Sequence, residues 1–230
     1  MVTHPDRAAS ADPALAPEPE PAPTAPVRER QKEVLAAARA LFFEKGYRTT
    51  TIQQIATRAG YSKRTVYLDY QSKDELFASV CAEGGELLRD LLEAVPADSL
   101  TIEECLDAYL QVFIDFSRDH RQYFRMIFSE ATPDIIGNCS RGLQRQLVDL
   151  ERACLSVLVV LAERATRAGH IPAVDAWDTA GIFIGTATGI ILLSTGGLQT
   201  VFSPSTLESL ARQAVWTFWR GLRAELESES

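Results

Sequence analysis

Ser62, Lys63, Arg64, Thr65 and Tyr67 put five hydrogen-bonding or cationic side chains into six residues, with only Val66 available to face inward. Their chemistry is recognition of a polyanion. Lys and Arg reach guanine edges or phosphates, and Thr offers a hydroxyl or a methyl group to a base. The groups that covalent work requires are missing. The chain has no G-x-S-x-G, no HExxH and no glycine-rich phosphate loop, and its three histidines are residues 4, 120 and 170. An enzyme is therefore not expected, and neither is a cofactor. The four cysteines, 81, 105, 139 and 154, stand alone without CxxC or Cys/His pairing, which reads as scattered buried thiols in a reducing cytosol and not as a metal site.

These side chains need a scaffold. Ser62 reads as an N-cap, and the helix it opens has about seven residues, too few to stand alone in water. Its support begins just before it. Ile52, Ile55, Ala56 and Ala59 recur at one-face helical spacing, with Thr50 or Thr51 as N-cap, Gln53 or Gln54 completing a capping box, and Gly60 ending the helix. Ser72 with Glu75 predicts a second capping box and puts Lys73 in the first turn of the next helix, where the dipole disfavours a cation unless a phosphate lies beside it. Upstream, Val34, Ala38, Leu41 and Phe42 form the inward stripe of a helix from about Arg28 to Glu44, stopped by Gly46. Arg28 and Arg30 at its start either reach phosphates or simply solvate a helix end.

The run G-Y-S-K-R-T-V-Y-L-D-Y-Q-S-K-D-E-L resembles the DNA-binding signature of the tetracycline-repressor (TetR) family of bacterial regulators. The resemblance covers roughly residues 28 to 77 and holds Ile55, Ala56, Gly60, Ser62, Thr65, Tyr67, Lys73 and Leu76 in register. It implies a three-helix helix-turn-helix domain in which Thr50, Thr51, Gln53, Ser62, Lys63, Arg64, Thr65, Tyr67 and Lys73 fall on DNA-contacting positions. Two residues depart from the family pattern. Tyr70 replaces the usual Phe, and Asp69 puts an acid where a neutral residue is common, so either it points at a neighbouring Arg or the operator avoids it.

Charge divides the molecule. The chain has 23 basic and 31 acidic residues, net −8, yet residues 28–73 carry ten Lys or Arg against four acids, net +6, leaving −14 for the rest. A basic module on an acidic body lets only one face approach DNA. Residues 1–27 hold seven of the eleven prolines and read as a disordered, extended tail, not a signal peptide. Residues 28–74 are the DNA-binding domain and 75–230 a helical ligand-binding and dimerisation domain. The expected fold is all-α with about nine helices. They include a lever from Lys73 to about Ala94, bent or closely contacted at Gly84 and Gly85, and a long helix from about Asp134 to Ala168. Another helix from Asp175 to Leu193 and a last one ending near Glu225 complete the chain.

Thr179 to Leu207 is free of charge, but its polar and glycine residues and the lack of flanking Lys or Arg favour a buried helix over a membrane span. Gly181, Gly185 and Gly189 strip one face of that helix to backbone and permit close helix approach. In the last helix the apolar residues fill one broad face while Trp216 lies opposite it and Trp219 at its margin, which calls for a second interface, most simply a two-fold homodimer. The resemblance implies the same, a four-helix interface from the last two helices. Tyr109, Phe113, Phe124 and Phe128, with His120 nearby, form either a cradle for a small molecule or plain core. The expected function is a cytoplasmic homodimeric repressor released from a palindromic double-stranded operator by a small-molecule effector. An activator or ligand-independent regulator on the same scaffold is the near alternative, and a helical adaptor that binds protein partners the distant one.

Overall fold

The computed structural model describes residues 25–193 and 204–229, and every described element is helical. Residues 1–24 of the tail expected over 1–27, and residues 194–203 of the charge-free stretch, lie outside the described residues; residues 25–27 of that tail belong to a helix. Ten α-helices follow in order: α1 Ala25–Lys45, α2 Ile52–Ala59, α3 Lys63–Asp69, α4 Lys73–Glu93, α5 Ile102–Asp119, α6 Arg121–Arg125, α7 Pro133–Gly137, α8 Arg141–Arg167, α9 Ala176–Leu192 and α10 Pro204–Glu229. A π-helical turn, Met126–Glu130, joins α6 to the segment before α7.

Local chemistry sets the boundaries. Helix α1 begins three residues earlier than expected, because Pro26 in its first turn withholds an N–H that has no intrahelical partner there anyway. It ends at Gly46, φ 80°. The α2 cap resolves to Thr51, whose side chain accepts from Gln54 N while the Gln54 side chain accepts from Thr51 N. Ser62 accepts from Thr65 N and Ser72 from Glu75 N. The expected box at Ser72 is only half formed, since the Glu75 carboxylate takes Gln71 N instead. Thr101 and Glu104 make a complete box at the start of α5.

The long helix expected from Asp134 is two helices. The chain breaks between α7 and α8, and the Gln144 amide donates to Gly137 O at 3.2 Å and Cys139 O at 2.8 Å, partnering carbonyls freed by the break. That break accounts for ten helices where nine were expected.

Two cores result. Val34, Leu41, Phe42, Ile55, Val66, Leu76 and Phe77 close the N-terminal bundle of α1 to α4, and Met126 reaches into it from the C-terminal body. The second core is built on α5, α8, α9 and α10 around Leu110, Phe113, Phe116, Ala187 and Val215. Helix α4 spans both and lies most extensively along α8. At Gly84 an added Cβ would lie 2.6 Å from Tyr123 Cδ1, so the expected close contact is there, made by an aromatic ring. Among the described residues no helix is long and apolar enough to cross a membrane.

Candidate functional site

The N-terminal bundle presents α3 outward. Val66 is wholly buried and anchors it, while Ser62, Lys63, Arg64 and Tyr67 are exposed. Thr51 and Gln53 on α2 are exposed beside it, and Thr65 is half-buried. Ser62 and Thr65 share a hydroxyl–hydroxyl contact of 2.8 Å as well as the capping bond. Lys63 Nζ sits 5.7 Å from the Tyr67 ring centroid. Arg64 has no ion pair among the described residues, and neither does Arg48, exposed in the turn after α1. The same surface includes Arg58, but its guanidinium is held by Glu44 at 2.7 Å.

Two of the expected contact residues are committed elsewhere. Thr50 is 1% exposed, and its hydroxyl donates to Gly46 O at 2.8 Å and Leu41 O at 3.3 Å. Its side chain fastens the α1–α2 turn and does not face outward. Lys73 Nζ donates to Tyr47 O at 2.9 Å and Thr50 O at 3.1 Å and lies 4.1 Å from the Tyr47 ring centroid. The cation at a helix N-terminus is thus satisfied by carbonyls and a π face of the preceding turn, with no phosphate required.

Asp69 points at an arginine. Its carboxylate, 2% exposed, receives two bonds from Arg30, at 2.7 Å and 2.6 Å, in a bidentate pair across the bundle. That pairing neutralises the acid and ties the C-terminal end of α3 to α1. Tyr70 donates to Gln31 O at 3.2 Å, and Tyr61 donates to Glu33, so α1 grips α3 on both sides. The bond to Glu33, with burial, raises the Tyr61 phenol above its ordinary range. Burial raises Tyr70 to about 12. The residue that sequence reasoning missed here is Leu68, 72% exposed on the outer side of α3.

A second site lies in the body. A cavity of about 390 Å³ is walled by Tyr109, Phe113 and Phe128, by Gly85 and Leu88 of α4, and by one face of α8 that includes Leu147, Cys154 and Leu158. Its size falls within the range of small-molecule sites. Of the five expected residues, it brings together Tyr109, Phe113 and Phe128. Phe124 is buried behind the wall, with ring centroids 5.5 Å from Phe113 and 4.8 Å from Phe128. His120 packs at 5.5 Å from Phe116 and does not line the cavity. The α8 wall went unseen because a helical stripe of Leu reads as ordinary core. Burial raises the Tyr109 phenol. The polar lining residues are Tyr109, Gln144, Glu151 and Cys154, and no Lys or Arg is among them.

The third surface is on α9. Gly181, Gly185 and Gly189 are exposed, and a Cβ added to any of them would meet nothing within 4 Å. Trp177 (42%) and Ile182 (49%) flank them in the open. Trp219 lies elsewhere. It is 4% exposed, packed in the C-terminal core, where it lines a small gap together with Phe183 of α9 and Leu106. Trp216 is half-buried at the edge of that core.

Residues 34–80 match the sequence profile of the bacterial regulatory proteins of the tetR family. The uncharacterised HTH-type transcriptional regulator YhgD of Bacillus subtilis is 26% identical over 68% of this chain and 79% of its own length. The HTH-type transcriptional activator FasR of Mycolicibacterium smegmatis is 31% identical over 45% of this chain and 47% of its own. Two further Bacillus subtilis regulators are likewise spanned over less than half their length. Among solved structures, AibR in complex with isovaleryl coenzyme A and operator DNA superposes with a TM-score of 0.60 at 21% identity, covering 81% of this chain and 96% of that one.

Proposed function

We propose that this chain, a member of the tetR family of bacterial regulatory proteins, is a homodimeric repressor that leaves a palindromic operator when a small apolar molecule enters the cavity beside α4. DNA-binding transcriptional regulation itself comes with the family. The observation that carries the ligand-controlled reading is the π-helical turn between the two sites. Met126, fully buried, belongs to the core of the DNA-binding bundle, while the next two residues, Ile127 and Phe128, line the cavity. Ile127 also abuts Gly84 of α4, where an added Cβ would stand 3.0 Å from its Cδ1. A molecule that displaces this wall cannot leave α4 and the bundle core unmoved, since packed interiors do not deform continuously.

The lining restricts the effector. Apolar residues dominate, Glu151 supplies a carboxylate, and among the described lining residues no Lys or Arg stands to pair with an anion. The effector is therefore apolar and neutral or positively charged. A polyanionic acyl thioester such as the one bound by AibR has no partner in this cavity. Tenfold loss of occupancy requires the effector to favour the released state by only ~1.4 kcal/mol.

Selection of bound sites from random duplex DNA, followed by titration of the winner at two salt concentrations, tests the reading. A two-fold motif with steep salt dependence is expected. A folded, dimeric protein that enriches no motif would overturn it. FasR is an activator, and a reporter fused to the selected site decides the sign: deletion of the gene raises expression from a repressed promoter and lowers it from an activated one.

A further inference from the structure

Val66 fixes which way α3 faces. Successive residues turn by ~100° in an α-helix, so Arg64, two before Val66, and Leu68, two after it, both lie opposite the buried side, one turn apart. The bidentate Arg30–Asp69 pair locks that roll from the flank. The outermost ridge of the recognition helix is therefore one guanidinium followed by one isobutyl group. Lys63 and Tyr67, stacked together, form the ridge beside it.

Leu68 is the most exposed large apolar side chain among the described residues, at 72%. A lone surface leucine is ordinary elsewhere on a protein. Here it shares its ridge with an unpaired arginine, on the net-positive face of an otherwise acidic molecule, and the helix it belongs to is held by its neighbours at both ends. What such a ridge meets in the major groove is base edges. An arginine pairs there with guanine O6 and N7, and the apolar feature of the groove is the thymine C5-methyl group.

We infer that Leu68 is a specificity-determining residue that reads a thymine methyl group next to the guanine read by Arg64. This rests on the DNA-binding reading above. One helical turn advances ~5.4 Å and successive base pairs are ~3.4 Å apart, so the thymine and the guanine lie one or two base pairs from each other in each half-site. Burying a methyl-sized group stabilises binding by about fourfold.

The test uses the full chain and the operator it selects. Each thymine in turn is replaced by deoxyuridine, which removes only the C5-methyl group, and affinity is measured for the wild type and for Leu68→Ala. The expected result is one thymine per half-site whose replacement weakens wild-type binding about fourfold, compounding when both half-sites are altered. Leu68→Ala binds the unmodified operator more weakly and is indifferent to that replacement. Because Leu68 is exposed, the variant retains its melting temperature, and Arg64→Ala keeps the methyl dependence while losing preference for the guanine. The inference is overturned if wild type and Leu68→Ala respond alike to every replacement. Binding without methyl dependence removes this inference alone, whereas failure to select any DNA removes it together with the reading on which it rests.

Discussion

The acid beside the recognition helix shows how one pair decides what the others do. Asp69 alone would repel phosphates; paired with Arg30 it becomes a fastening, and Arg30 is thereby withdrawn from the phosphate contact that a sequence reading leaves open to it. Lys73 and Thr50 are withdrawn likewise by the turn they hold together. The thiols are also settled by surroundings. Burial, with the nearby Glu130 carboxylate, pushes the Cys81 thiol up to about 12, and burial brings Cys139 and Cys154 to about 11. Such thiols are poor nucleophiles at neutral pH, which argues against thiolate chemistry at these three positions. The raised values also imply a pH dependence. A free thiol titrates near ~8.5, so below that pH both states hold the proton and the stability is fully present. Between there and about 11 the unfolded chain loses protons that the native chain keeps, and stability falls. For Cys81 the loss by pH 11 is on the order of 3 kcal/mol. Urea midpoints at pH 8, 9.5 and 10.5 check this: Cys81→Ala lowers stability throughout but flattens the alkaline slope. An unchanged slope would show that the thiol does not hold its proton in the fold.

Adjacent glycines in α4 separate propensity from packing. Replacing a helix-interior glycine by alanine gains up to ~1 kcal/mol, and at Gly85 the new Cβ would lie 3.6 Å from Leu150, an ordinary contact. At Gly84 it would stand 2.6 Å from the Tyr123 ring, which cannot easily yield. Phe43 meets that ring edge-on at 5.0 Å, and the Tyr123 hydroxyl accepts from Arg39 at 3.5 Å and donates to Glu83 at 3.3 Å. Overpacking costs ~1–3 kcal/mol, so Gly84→Ala destabilises the protein and Gly85→Ala stabilises it by about 0.5–1 kcal/mol. Denaturation midpoints of the two variants must move in opposite directions. If both rise, Tyr123 is not the fixed wedge the packing describes. This pair also marks how far sequence carries. The choice of Thr51 over Thr50 was not legible, but caps at Ser62, at Ser72 and at Thr50 or Thr51, and stops at Gly46 and Gly60, are local chemistry and were. So was a close approach at Gly84, though not its partner, which is 39 residues away. The α7–α8 break was not legible, because it depends on Gln144 folding back on Gly137 and Cys139. The cavity was half legible: its aromatic wall stands out in the chain, while its α8 wall has the same periodicity as any buried helix.

In the proposed homodimer these elements would act as one instrument. A single seven-residue recognition helix reads few base pairs, and two of them held ~34 Å apart read a two-fold site. The face available for pairing is the outer side of α9, where three glycines at four-residue intervals leave bare backbone between Trp177 and Ile182. An exposed strip of this kind does nothing for an isolated chain, because glycine lowers helix stability by ~1 kcal/mol relative to alanine at each position. In the proposed dimer it would permit the close approach of another helix, and the apolar neighbours would supply area to bury. Trp219, expected at this surface, is instead spent on the core beneath it, so the proposed interface would rest on α9 more than on Trp219. Gly185→Glu isolates the point. In one chain the new side chain projects into open space, so the fold and its melting temperature persist; in a dimer it places a charge within a glycine seam. Sedimentation should then give a monomer, and affinity for the full operator should fall by roughly a hundredfold or more, towards that for a half-site, as the second helix is no longer tethered to the first. A variant that remains dimeric and binds the full operator as before would mean that the copies meet elsewhere and that the glycine strip serves another partner.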